Sequence, residues 1–408
     1  MTNLPQGWEW KSLGEICFIT DGTHKTPNYI ETGIPFLSVK NISKGFFDLS
    51  DVKYISLEEH NKLIKRAKPE FGDILICRIG TLGKAIKISL EFEFSIFVSL
   101  GLLKPKVKII SDYLVYFLNS CFIEGWINDN KVGGGTHTAK LNLNILEKCP
   151  IALPPLKEQE RIVGILDESF AKIDESIKIL EQDLLNLDEL MQSALQKAFN
   201  PLKDNAKENY KLPQGWEWKS LGEIGEIITG TTPSKNNPNF YGNEYPLFKP
   251  SDLNGDMIIK YASDNLSKLG FDNARNLPKD TILVVCIGAS IGKVGVSGVN
   301  GSCNQQINAI IPNSAFTSKY LFFVCLSNYF QTILKKNASQ TTLPIINKTE
   351  FSKLQIPLPS LKEQEQIASH LDELSSHVKN LKQNYQAQIK DLQELKKSLL
   401  DKAFKGNL

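Results

Sequence analysis

The residues of this chain best suited to chemistry lie in two glycine loops closed by lysine. Phe71-Gly-Asp-Ile-Leu-Ile-Cys-Arg-Ile-Gly-Thr-Leu-Gly-Lys84 and Lys279-Asp-Thr-Ile-Leu-Val-Val-Cys-Ile-Gly-Ala-Ser-Ile-Gly-Lys293 each carry an apolar strand into a tight turn. A phosphate-cradling loop has the spacing G-x-x-x-x-G-K-[ST]. Gly80-x-x-Gly-Lys84 and Gly288-x-x-x-Gly-Lys293 depart from it, so neither reads as a nucleotide site. Asn237-Pro-Asn-Phe240 comes nearest to an amino-methyltransferase motif, but it lacks the second proline, and no glycine motif for S-adenosylmethionine accompanies it. No nuclease-like cluster of carboxylates and lysine stands out. The seven cysteines are odd in number and never spaced C-x-x-C, which suggests reduced core residues rather than disulfides or zinc. His370 and His377 lack further ligands, and no metal site is expected.

A different chemistry, contact with a polyanion, fits several polar loops. Ile19-Thr-Asp-Gly-Thr-His-Lys-Thr-Pro27 offers Thr23, His24 and Lys25, and the strand end after Gly33 offers Lys40 and Asn41. Ile228-Thr-Gly-Thr-Thr-Pro-Ser234 offers Thr231, Thr232, Ser234 and the following Lys235, and Tyr245–Leu253 offers Lys249 and Ser251. Arg78, Lys84 and Lys293 flank the glycine turns; Thr136 and His137 lie in one glycine-rich loop, and Ser339, Gln340 and Thr341 in its counterpart. Hydroxyls, amides and lysines on loosened backbone suit phosphates and base edges.

The elements that must position these loops come in duplicate. Leu4-Pro-Gln-Gly-Trp-Glu-Trp-Lys-Ser-Leu-Gly-Glu-Ile16 recurs unchanged at Leu212–Ile224, and its Trp-Glu-Trp-Lys alternation predicts a half-buried strand anchoring each copy. After it the copies share an outline and differ in their loops. Each then leads, through Leu153-Pro-Pro-Leu-Lys-Glu-Gln-Glu-Arg-Ile162 or Leu358-Pro-Ser-Leu-Lys-Glu-Gln-Glu-Gln-Ile367, into a long helix that closes on Lys-Ala-Phe at Phe199 or Phe404. Apolar residues alternate by four and three at Leu166, Phe170, Ile173, Ile177, Leu180, Leu184, Leu187, Met191, Ala194 and Ala198. The second helix repeats this at Leu371, Leu374, Val378, Leu381, Tyr385, Leu392, Leu395 and Leu399, with Gln388 as a polar residue able to fix register.

The expected fold class is therefore α+β: two α/β domains in a tandem pseudo-repeat, separated by two long helices forming an antiparallel coiled coil. The ranges are 1–155 and 212–360 for the domains, 156–200 and 361–408 for the helices, and 201–211 for a linker opened by Pro201. Helices of this length, roughly 66 Å at ~1.5 Å per residue, are long enough to hold the two domains apart. No apolar run approaches a membrane span and the start does not resemble a signal peptide, so a cytoplasmic location is expected. The chain carries net +2. The first helix holds ten acidic and five basic residues and the second seven of each, so the rest carries +7, a balance suited to phosphates.

With Leu-Pro-x-Gly-Trp opening each domain and Pro-Leu/Ile-Pro-x-Leu-x-Glu-Gln before each helix, the whole chain resembles the specificity subunit of type I restriction–modification systems. The resemblance implies two target-recognition domains, each reading one half of a split, asymmetric double-stranded DNA target. It also implies two methyltransferase subunits docked on the helices and neighbouring domain faces, joined by restriction/translocase subunits. This chain would be non-catalytic and without a cofactor, with S-adenosylmethionine, ATP and Mg confined to the partners. A coiled-coil scaffold with two protein-binding heads is the alternative class, and a self-contained methyltransferase or nuclease a third.

Overall fold

The computed structural model describes residues 4–134, 139–199, 212–339 and 343–408. The chain divides into two compact units, Met1–Leu180 with Ala387–Leu408, and Glu181–Gln386.

The repeated opening motif is stitched to the segment that leads into the long helix. In the first unit Glu9–Ser12 pairs antiparallel with Pro150–Leu153, placing Trp10 opposite Ala152. In the second, Glu217–Ser220 pairs with Gln355–Leu358 and Trp218 faces Pro357. The strand ends in a capping box: the Ser12 hydroxyl accepts from the Glu15 amide at 3.3 Å while the Glu15 carboxylate accepts from the Ser12 amide at 2.6 Å. Ser220 and Glu223 repeat it at 3.3 and 2.6 Å. Trp10 packs on Phe122 and Trp218 on Tyr329, so these tryptophans anchor the framework.

Each unit then builds two sheets. In the first unit the larger is antiparallel in the order Cys17–Asp21, Leu100–Pro105, Ile74–Cys77, Ala85–Lys87. In the second it runs Ile227–Thr229, Ile307–Ile310, Ile282–Val285, Val294–Ser297, with Ile258–Ile259 added parallel at the edge. The smaller sheets are Lys53–Ile55, Ile34–Leu37, Ser95–Ile96 and Asp264–Leu266, Tyr241–Phe248, Gly301–Cys303, Asn276–Leu277. The central strands are apolar throughout because both faces are covered. Ile74 and Ile76 enter one core and Leu75 and Cys77 the other, as Ile282 and Val284 part from Leu283 and Val285.

The long helices span Leu156–Phe199 and Leu361–Phe404, 44 residues each. The glutamine of each Lys-Glu-Gln motif is 1% exposed and clamps the first turn to its domain. Gln159 accepts from the Ile110 amide and donates to the Pro154 carbonyl, both at 2.9 Å. Gln364 does the same with Thr317 and Pro359, both at 3.0 Å. The closing Lys-Ala-Phe words end in cores: Phe404 lies edge-on to Tyr113 in the first unit, and Phe199 edge-on to Tyr320 in the second. Each helix thus starts on one domain framework and finishes in the other. Gly406, at φ +70°, packs against Pro5, bringing the end of the second helix to the opening of the first repeat.

Within each unit the helices run antiparallel and pair acid with lysine: Asp174 with Lys396 in the first, Asp188 with Lys382 in the second. The first helix uses the expected stripe, every position of which is buried or half-buried. The second corrects the sequence reading. Leu381, Gln388 and Leu395 are exposed, and Lys382, Ile389 and Lys396 take the seam instead. Beyond Val378 the interval of four comes before that of three, and long lysine stems stand in for apolar residues by laying methylenes on the seam with their ammonium groups on the facing aspartates. Gln388 therefore does not set the register.

Candidate nucleic-acid interface

The first polar loop is fixed from beneath. Gly22 follows the strand ending at Asp21, and a Cβ there would lie 2.0 Å from the Ile96 carbonyl oxygen, so only glycine fits. Asp21 is 1% exposed, and its carboxylate bonds two guanidiniums, those of Arg66 and Arg78. His24 Nε2 adds a contact at 3.0 Å. Burial pushes the Asp21 carboxyl up, but the two arginines more than reverse this and hold it below the ordinary aspartate range. The Thr23 hydroxyl closes a turn onto Lys25, accepting from its amide at 3.2 Å and donating to its carbonyl at 3.1 Å. His24, Lys25 and Lys40 are exposed.

The equivalent loop of the second unit is built on Gly230, where a Cβ would lie 2.2 Å from the carbonyl oxygens of Cys303 and Asn304. Where the first unit has Asp21, the second has Thr229, whose hydroxyl donates to the buried Asn308 at 2.7 Å. Thr231 accepts the Arg275 amide at 3.1 Å, and Thr232 donates to Gln305 at 2.9 Å. Ser234 closes a turn by accepting the Asn236 amide at 3.3 Å; Lys235 and Ser251 are exposed. Lys249 is half-buried in an ion pair that lowers the Asp264 carboxyl.

The glycine–lysine loops are hairpin turns between antiparallel strands. Gly80, Gly83, Gly288 and Gly292 all take positive φ, and the chain continues into a strand rather than a helix whose amides could face a phosphate. Lys84 lines an open cleft of about 1650 Å³ in the first unit, beside Lys44, Lys131, Lys390 and Lys397. Lys293 is exposed and reaches the Pro250 carbonyl at 3.3 Å. Asn237–Phe240 forms a turn of 3₁₀ helix leading into a strand, with the Asn237 side chain accepting the Asn239 amide.

Two expected contact residues are buried inside the framework. Arg78 is 7% exposed, locked by Asp21 and the Leu141 carbonyl at 3.0 Å. Asn41 is 5% exposed and builds its own turn, accepting the Ser38 amide at 2.9 Å and donating to the Asp48 carbonyl at 3.0 Å. Neither faces a surface a duplex could reach. Ser339 is exposed and accepts the Ile345 amide at 3.1 Å, whereas Thr136, His137, Gln340 and Thr341 lie outside the described residues. Two residues missing from the sequence reading, Arg66 and Arg275, sit on the polar loops themselves. Their scarcity was the available signal, since the chain has four arginines against 43 lysines and each repeat carries one here.

This duplicated framework, with different loops mounted on it, matches the description "Type I restriction modification DNA specificity domain" over residues 5–184 and 213–391, and the chain belongs to that family. The type I restriction enzyme StySPI specificity subunit of Salmonella potsdam is 26% identical across 99% of this chain and 90% of its own length. The EcoKI specificity subunit of Escherichia coli is 24% identical over the same shares. Among solved structures, a chain from a study of complex assembly and conformational transition in a type I restriction–modification system superposes with TM-score 0.81 at 24% identity, covering all of both chains. The HsdS subunit of Thermoanaerobacter tengcongensis gives 0.60 at 23% identity, covering 100% of this chain and 99% of its own. Within the family the chain is a type I specificity subunit, and the reading as a scaffold with protein-binding heads is not favoured.

Proposed function

We propose that the two domain frameworks each read one half of an asymmetric bipartite sequence in double-stranded DNA. The observation that carries this is a common scaffold with unlike loops: the same strand, glycine and capped turn present Asp21-Gly-Thr-His-Lys25 in one unit and Thr229-Gly-Thr-Thr-Pro233 in the other. Methylation and cleavage, with S-adenosylmethionine, ATP and Mg, belong to partner subunits. Two methyltransferases dock on the helices and adjoining faces, where Ile179, Leu185, Leu190, Leu381 and Leu395 are exposed, and restriction/translocase subunits join that complex. No described helix is long and apolar enough to cross a membrane; a DNA-modifying assembly belongs in the cytoplasm. Selection of bound duplexes from a random library, with the chain complexed to its methyltransferase, tests the proposal. Two fixed half-sites at one spacing are expected, and binding without sequence preference would refute it.

A further inference from the structure

Each repeat holds one exposed arginine at the same place, on the carbonyl of the residue just before the loop glycine. Arg66 follows the short helix Leu57–Leu63, capped by Ser56, and donates through Nε to the Asp21 carbonyl at 3.2 Å. Arg275 follows the short helix Lys268–Asp272, capped by Ser267, and donates through Nη1 to the Thr229 carbonyl at 2.7 Å. The match is structural, because Gly22 and Gly230 pack equivalently in the two units. The side chain of Arg66 is 54% exposed although its Nε and Nη2 are bound to Asp21, which leaves Nη1 without a partner among the described residues. Arg275 is likewise exposed and keeps Nε and Nη2 free among them.

A guanidinium anchored at one side and open at the other has lost most of its conformational freedom before binding. Its planar fork matches the O6 and N7 acceptors of guanine, the commonest specific contact in the major groove. The neighbouring lysines carry the same charge without that geometry. We infer that Arg66 and Arg275 are the specificity-determining arginines of the two loops, each reading a guanine in its own half-site. This rests on the bipartite-reading proposal. The supports differ: a buried carboxylate shared with Arg78 holds Arg66, whereas among the described residues a backbone carbonyl alone fixes the Arg275 guanidinium.

The test uses the full chain in complex with its methyltransferase, selecting duplexes from a random library and then measuring affinity for the selected site. Arg66→Ala should erase the preference for one guanine in one half-site, leave the other half-site intact, and weaken binding to the selected duplex roughly 10- to 100-fold. Arg275→Ala should do the same in the opposite half. Arg66→Lys and Arg275→Lys, which keep the charge, should also lose the guanine preference, and replacing that guanine by 7-deazaguanine should weaken the wild type but not the alanine variants. Thermal melting checks that each variant is folded. Unchanged base preferences in folded variants, or alanine effects uniform across sequences and rescued by lysine, would overturn the inference and leave bipartite reading standing. A wild-type complex that selects no motif would overturn both.

Discussion

Asp21 lies between two guanidiniums, and its charge state should be visible in stability. Its carboxyl is held below the ordinary aspartate range, so the folded chain takes up that proton at lower pH than the unfolded chain does. The stabilisation is complete above about pH 4, the unperturbed aspartate value, and is lost as pH falls through the depressed value. Asp21→Asn should therefore melt below wild type at pH 7, because Arg78 stays buried without its counter-charge, and the gap should narrow as pH approaches 3. A melting series on both proteins reads this directly. The cysteines give a second expectation. Burial pushes Cys17, Cys77, Cys149, Cys286 and Cys303 up to about 12 and raises Cys325 further, and Cys121 alone is partly exposed. A native thiol titration at pH 8 should count at most one reactive group, and denaturation should release all seven.

At this scale the sequence was half legible. A charged residue after an apolar strand reads as a surface group, yet the Arg78 side chain turns inward to meet a carboxylate 57 positions earlier. No local pattern announces such a pairing. Arg66 and Arg275 carry no motif either, lying 45 and 46 positions from the carbonyls that hold them.

Among the elements, the long helices were legible because proline punctuation precedes each one and the repeat gives every boundary twice; they begin at Leu156 and Leu361 and end on the closing Lys-Ala-Phe words, at Phe199 and Phe404, short of the expected 200 and 408. The role of the shared Lys-Glu-Gln was less so, since a glutamine in a first turn looks solvated until the domain folds over it. Removing the Gln159 or Gln364 side chain takes the acceptor from a half-buried backbone amide and the donor from a buried carbonyl, costing about 1–3 kcal/mol each. Gln159→Ala and Gln364→Ala should shift chemical denaturation by that amount, and an exposed helix substitution such as Lys178→Ala should not. The seam of the second helix was misread because leucine at 381 and 395 and lysine at 382 and 396 favour the wrong register on hydrophobicity alone. The observed register predicts that Leu395→Ala changes folding stability by less than ~0.5 kcal/mol while weakening methyltransferase binding. The half-buried Leu392→Ala should cost about 1–2 kcal/mol, below the value for a fully buried leucine. Denaturation of the free chain beside pull-down of the partner separates the two effects.

For the whole molecule, duplication is the organising fact, and identity over 13 residues made it plain in the sequence. The framework is what repeats: paired strand, capping box, glutamine clamp and aromatic closure. Loop geometry was illegible because the loops differ in length and composition and are held by contacts distant in sequence. The central claim, that each framework reads its own half-site, is tested most directly by exchange. Residues 17–150 are replaced with the equivalent segment of a relative, and the half-sites bound by the methyltransferase complex are selected from a random library. One half-site should change to the donor's and the other should stay as it was; change in both, or in neither, from a folded chimera would contradict independent reading.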